Sequence, residues 1–328
     1  MKKYILLLSA FLLLTGCGAT SSSAASESSV PEPTIEPTPD PEVERMTRIN
    51  DALHGETISE LTTLISNGAD ASAYIERGDE YFKIAEQEDY YEAYDYANKD
   101  YIMAYALDGD LSNHKDILVK IYEAKAQHCL DENNIEDYEG YLTRANHLAP
   151  SSDRYALIVE ARKKINQELA NTEPRNDYHD LDGNLVSYTI SKCGDDGLRT
   201  EVSTYTADDT LVDTYSGFEY DEYGNCLRSA TFDNSTLKFV EERVDTYDDS
   251  GTLNETKFYD LSSKKFLGSQ VMNYDALGRL SGYRFVDGNT GDDAGSVVYR
   301  YDENDQYYGY DVYDANGNLT YHENVDGD

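Results

Sequence analysis

YDALGRL occupies residues 274–280. It begins 27 residues after YDDSGTL (247–253), which begins 27 residues after YDEYGNC (220–226). The same interval, extended both ways, sets anchors at Cys193, Tyr220, Tyr247, Tyr274 and Tyr301. Four residues beyond them stand Gly197, Gly224, Gly251, Gly278 and then Asp305. A second anchor, 12 residues on, gives Tyr205, Phe232, Tyr259, Val286 and Tyr313, with Tyr178 one period earlier. Val244, Val271 and Val298 keep the interval, as do Phe239 and Phe266. So many coincident offsets mark an internal repeat, in which each period is one structural unit.

The heptad reads as a turn. Tyr ends a strand, and Asp opens a reversal by accepting hydrogen bonds from the backbone ahead of it. Gly takes the left-handed conformation that other residues resist. The last residue (Leu253, Leu280 and, in YDANGNL, Leu319) starts the return strand. Each period then holds two strand-turn steps, close to the spacing of all-β folds. Residues 175–328 are expected to form an antiparallel meander. Its Tyr column would be a cross-strand ladder worth ~0.2–1 kcal/mol per pair.

YDALGRL and YDANGNL (313–319) resemble the YD repeats of the RHS family, and YRYDEN (299–304) carries that family's upstream Arg-Tyr pairing. The resemblance implies arrays that wrap into shells. About five units are too few to close one, so an open sheet or ribbon is expected. QYYGYDVYDANGNL (306–319) also resembles the aromatic cell-wall-binding repeats of surface proteins, although those rely on Trp and this chain has none.

From 44 to 172 Gly and Pro thin out and the apolar period becomes helical. Tyr74, Arg77-Gly78 and Tyr81 share one face; Ala97, Tyr101 and Ala104 share another. Small residues let two helices approach, and the Tyr rings fill the space beside them. These residues resemble tetratricopeptide repeats. A second copy in 119–152 carries Tyr122, Ala126, Leu142, Ala145 and Pro150. The resemblance implies paired helices with a peptide-binding groove. With two to three units the groove would be shallow, and a spacer or scaffold role ranks first. A closing helix over 151–170 is expected, capped by Ser152 or Asp153, with Tyr155, Ile158, Val159 and Ile165 as its stripe.

The first 17 residues have export character. Lys2 and Lys3 precede YILLLSAFLLL (4–14), an apolar run short for a membrane span. LTGC (14–17) resembles the lipobox of bacterial lipoproteins, which implies lipidation of Cys17 and cleavage before it. Residues 18–43 are Ser-, Pro- and Glu-rich and hold five of the seven prolines. Such a segment cannot bury enough surface to order itself and reads as a tether. The expected location is the extracytoplasmic face of a cell membrane, held there by lipid.

The 328 residues carry 64 Asp and Glu against 27 Lys and Arg, a formal charge of −37. This excludes nucleic acid and anionic head groups as partners. Tyr is abundant, 30 residues against 8 Phe, which suits half-buried surfaces where the ring packs and the hydroxyl finds a partner.

No P-loop, G-x-S-x-G or H-E-x-x-H is present, and the six His show no metal spacing. Asp180, Asp182 and Asn184 in DLDGNL could start a calcium loop, as could DGNTGDDAG (287–295). Counting Asp180 as one, position 12 is Ser191 rather than the Glu that an EF-hand needs, and hairpins want Asp-rich turns in any case. No cofactor other than calcium is entertained. Cys193 and Cys226 lie in adjacent units, so a disulfide is conceivable; burial is the ordinary state for these two and Cys129. The reading is α+β in two segregated parts, non-catalytic, with Tyr220, Tyr247, Tyr274, Tyr301 and Tyr313 as ligand-binding candidates. The expected partner is an envelope protein or glycan. The alternative is an envelope hydrolase with convergent carboxylates where the helical and β parts meet.

Overall fold

A computed structural model describes residues 40–179, 184–234, 238–248, 250–302, 305 and 307–324. Among them, seven helices precede twelve strands, and both segments lie in one compact unit, Glu42–Asp328. The helices are α1 (Pro41–Leu53), α2 (Glu56–Ser66), α3 (Ala71–Glu88), α4 (Tyr91–Ala106), α5 (Lys115–Asp131), α6 (Ile135–Leu148) and α7 (Ser152–Leu169). The α+β reading holds.

The helical periodicity is packed as its residue sizes demand. Gly78 on α3 lies under the Tyr101 ring, where a Cβ would come within 3.1 Å of it. Ala97, Tyr101 and Ala104 on α4 are fully buried, and the Tyr101 hydroxyl donates to Asp79 at 2.6 Å. Arg77 forks onto Asp100 at 2.7 and 2.8 Å, a bidentate pairing that fits the guanidinium geometry. Tyr122, Ala126, Leu142 and Ala145 are buried between α5 and α6. The cap of α7 is Ser151, whose Oγ accepts from the Arg154 amide at 3.4 Å, one residue earlier than the sequence reading placed it. The hydroxyl must precede the first helical residue to meet the open amides.

The strands are β1 (Arg175–His179), β2 (Leu185–Cys193), β3 (Arg199–Thr206), β4 (Leu211–Tyr220), β5 (Cys226–Asp233), β6 (Lys238–Tyr247), β7 (Leu253–Asp260), β8 (Phe266–Tyr274), β9 (Leu280–Asp287), β10 (Asp293–Tyr301), β11 (Tyr307–Asp314) and β12 (Leu319–Asn324). They form one antiparallel sheet in sequence order. Tyr220, Tyr247, Tyr274 and Tyr301 end β4, β6, β8 and β10, as the heptad reading requires. Hairpin partners across the other turns are in ring contact: Phe232 meets Phe239 edge to face at 5.2 Å, and Tyr259 meets Phe266 at a tilt at 5.6 Å.

The apolar core belongs to the helices. Leu277 is the one sheet residue in its largest cluster, beside Tyr101, Leu118 and Tyr122. Fully buried sheet positions are mostly small and polar, including Ser191, Ser229, Thr256 and Ser269. Such a sheet rests on cross-strand pairs and half-buried rings rather than on a second apolar layer.

Candidate functional site

The turns that follow β2, β4, β6, β8 and β10 lie along one edge of the sheet, and this edge meets the helices, whereas the YDANGNL turn after β11 lies on the opposite edge. Each turn is built by its Asp. Asp248 Oδ1 accepts from the amides of Ser250 and Thr252 at 2.8 and 3.0 Å, and Gly251 closes the reversal onto the Asp248 carbonyl at 3.0 Å. Asp221 and Asp275 repeat the pattern. The glycines have φ between 73 and 82°, and Asp305, which replaces one, has φ 66°. The first turn changes chemistry. Gly194 stands at the Asp position, and Asp196 takes up the amide of Leu198 at 3.0 Å.

Both the repeating glycines and the heptad positions that do not repeat make contacts with the helices. At turn 193–199 the glycine faces α7: a Cβ on Gly197 would lie 1.6 Å from the Asn166 carbonyl oxygen. Asn225 accepts from Arg162 and donates to the Tyr155 hydroxyl, both at 2.9 Å. Asn146 on α6 donates to the Ser250 carbonyl at 2.9 Å. Tyr122 on α5 donates to the Leu277 carbonyl at 2.9 Å. Asp305 pairs with Arg144 on α6 and with Arg279 at 2.9 Å, while Arg279 also holds Asp275 at 2.8 Å. Successive turns therefore meet α7, then α6, then α5.

The Tyr column exists, but its rungs run from hydroxyl to backbone instead of ring to ring. Tyr220 donates to the carbonyl of Arg199, Tyr247 to Cys226, Tyr274 to Leu253 and Tyr301 to Leu280, all at 2.8–2.9 Å. Each acceptor is the residue paired with the anchor one period back. Every ring thus ties its hairpin to the one before, at roughly 0.5–1.5 kcal/mol per bond. Burial raises the phenol pKa throughout the column, with Tyr220 and Tyr274 pushed up to about 12. Tyr274 also stacks on His147 of α6, ring centroids 4.2 Å apart. The structure thus brings four of the five candidate tyrosines together, half-buried at the helical edge. Tyr313 stands apart on the opposite edge, opposite Leu319.

The remaining sequence candidates are dispersed. Cys17, Asp180 and Asp182 lie outside the described residues; Asn184 is described and directly precedes β2. In the second candidate loop, Asp287 Oδ1 accepts from the amides of Asn289 and Thr290, and these bonds hold its carboxyl below the usual range. Among the described residues no three His, Cys, Asp or Glu are grouped as a metal site. The conceivable Cys193–Cys226 disulfide is absent: both thiols are free and half-buried, and only Cys129 is fully buried. They stand at different heptad positions, the anchor and the seventh residue, at the mouths of separate hairpins.

A cavity of about 400 Å³ opens where α7 meets the first two YD turns. Ile165 and Leu169 line it from α7, and Leu198, Arg199, Phe218, Tyr220 and Arg243 from the sheet. Among the described residues no carboxylate lines it. Sequence reading passed over Arg199. Its signal was its place at the seventh heptad position, where later turns carry Leu253 and Leu280.

No protein-family model matches the chain, and no curated protein matches it. Among solved structures, a complex of TcdB2, TccC3 and Cdc42 matches 43% of this chain at 15% identity, with a TM-score of 0.24. The chain spans 7% of the length of that structure's matched chain. A protein of unknown function from Bacteroides fragilis matches over 47% of this chain and 92% of its own, at 16% identity and a TM-score of 0.14. At these scores neither likeness carries an argument about function.

Proposed function

We propose that this chain is a lipid-anchored protein of the bacterial envelope that binds a partner protein without catalysis. In this reading Cys17 carries the lipid and the tether is the Ser-, Pro- and Glu-rich segment up to the start of α1 at Pro41, shorter than the sequence-based bound of residue 43 because α1 takes up residues 41–43. The helices, tetratricopeptide-like in residue pattern, serve as a scaffold for the YD-like turns. The observation that carries it is the state of the two sheet edges. The turn edge is occupied by α5, α6 and α7. The opposite edge exposes Leu211, Val212, Phe239, Val240 and Leu267 within the first three residues of β4, β6 and β8. An apolar row of this kind, on a chain of charge −37, is unusual for a surface that meets only water. Its aliphatic and Phe content suits a protein partner better than a glycan, whose rings stack on Tyr and Trp.

The test is a pull-down from envelope extract with the intact chain and with Phe239→Glu/Leu267→Glu. Capture of a specific protein that the double variant loses supports the reading; equal capture by both, or capture of glycan alone, overturns it. Labelling cells with a lipid precursor checks the anchor, since Cys17→Ala should lose the label and membrane retention together.

A further inference from the structure

We propose that the cavity between α7 and the first two YD turns binds a small organic monoanion: a carboxylate on an aromatic or aliphatic body. The site is independent of the apolar row on the far edge.

Charge is the first argument. The chain has 64 acidic residues, yet none of the described ones lines this cavity, while two arginines do. Arg243 is neutralised by the buried Asp245 at 2.8 Å. Arg199 has no such partner among the described residues. Every other arginine of the chain forms an ion pair with an Asp or Glu. In a chain so rich in carboxylates, one unpaired guanidinium facing an acid-free cavity leaves a local charge of one. A monocarboxylate matches that charge and the forked donor geometry. The repulsion of the distant acids is screened over ~8 Å at physiological salt, so the local charge decides the site's preference.

Shape is the second. The walls are Ile165, Leu169, Leu198, Phe218 and Tyr220, and the last two rings stack with centroids 6.2 Å apart. About 400 Å³ suits a small ligand enclosed by apolar side chains, with few polar groups fixing its orientation.

The repeat is the third. Arg199 and Cys226 take the seventh heptad position that Leu253 and Leu280 fill in the regular turns, and Cys193 replaces the first anchor Tyr. These departures fall at the cavity: Arg199 and Cys226 line it, and Cys193 pairs directly with Arg199. The backbone beneath Arg199 is fixed, since its carbonyl accepts from the Tyr220 hydroxyl at 2.8 Å. A guanidinium on a fixed backbone loses less freedom when it binds.

The test titrates the full-length chain calorimetrically with phenylacetate, cyclohexylacetate, neutral phenylacetamide and inorganic phosphate. The two carboxylates are expected to bind, and the amide and phosphate at least about tenfold more weakly, the size of one charge-assisted bond. Arg199→Gln, a change at an exposed and unpaired side chain, should lower carboxylate affinity by about tenfold or more with unchanged circular dichroism. Phe218→Ala should weaken cyclohexylacetate and phenylacetate alike. The proposal is overturned if neither carboxylate binds, if amide or phosphate binds as well, or if Arg199→Gln binds as the parent does.

Discussion

The Tyr122 hydroxyl, inside the helical core, donates to the main-chain carbonyl of Leu277 at 2.9 Å across 155 residues of chain. Tyr122 and the Leu277 side chain are both fully buried. The fourth YD turn is thus part of the helical core, and neither part closes its apolar surface alone. Tyr122→Phe keeps the ring and leaves that carbonyl unpaired, which should cost about 1–3 kcal/mol. Leu277→Ala should cost about 2–5 kcal/mol through the void it leaves. Urea unfolding measures both. The helical signal and the tyrosine near-ultraviolet signal should move together in a single transition; two separated transitions would falsify the shared core.

Two glycines with the same backbone conformation separate turn strain from docking. Gly197 has φ 75° and Gly317 φ 78°. A Cβ on Gly317 would meet nothing within 4 Å, whereas one on Gly197 would overlap the Asn166 carbonyl. Gly317→Ala should cost only the left-handed penalty, about 1–2 kcal/mol. Gly197→Ala must also push α7 away from the sheet, so its loss in denaturation midpoint should be clearly larger. Equal losses would show that α7 does not rest on this turn.

The repeat was legible because turn chemistry is local. Tyr, Asp and Gly act on backbone within their own heptad, so their period fixed both the strand ends and the meander order. Most of the docking was not legible, because apart from the turn glycines the residues that perform it are those that break the period. Asn225 and Thr252 share one heptad position with Arg279, and Ser250 shares another with Leu277; against the regular positions they look like noise. Asn225 meets α7, Ser250 α6 and Leu277 α5. For the same reason the tyrosines, read as a ligand-facing ladder, turned out to be bonded to the sheet backbone, since nothing in a heptad says which edge the helices cover. The unpaired Arg199 could be noticed as a departure, but its lack of a carboxylate is visible only when every other arginine has found one.

Asp305 carries two opposed effects. It occupies the repeat's glycine position with φ 66°, a conformation glycine adopts without strain. It also pairs with both Arg144 and Arg279. Burial works against the Arg279 charge, but Asp275 and Asp305 hold its pKa above the usual value. Asp305→Gly relieves the backbone, but it strands the half-buried Arg144 and leaves the buried Arg279 with Asp275 alone, and stranding decides the sign: the loss should be about 3–5 kcal/mol. Asp305→Asn, which tolerates the left-handed region, should lose nearly as much. A variant as stable as the parent in thermal unfolding would show that the arginines find other partners.

His147 gives the fold a pH dependence of its own. Its ring is half-buried against Tyr274, and its Nδ1 is buried without a partner. Burial lowers its pKa below the usual value near 6.5, outweighing the pull of Asp248 and Asp275. The folded state therefore binds this proton less readily than the unfolded chain does. Stability from this group is complete above about pH 6.5 and declines as pH falls through the window beneath it. His147→Gln removes the titration while keeping a polar side chain of similar reach. Between pH 7.5 and 5 the parent should lose more stability than the variant, as read from urea midpoints at matched ionic strength. The other titratable groups are common to both chains, so the difference between the two curves isolates the histidine. Parallel curves would mean that the ring opens to water before it is protonated.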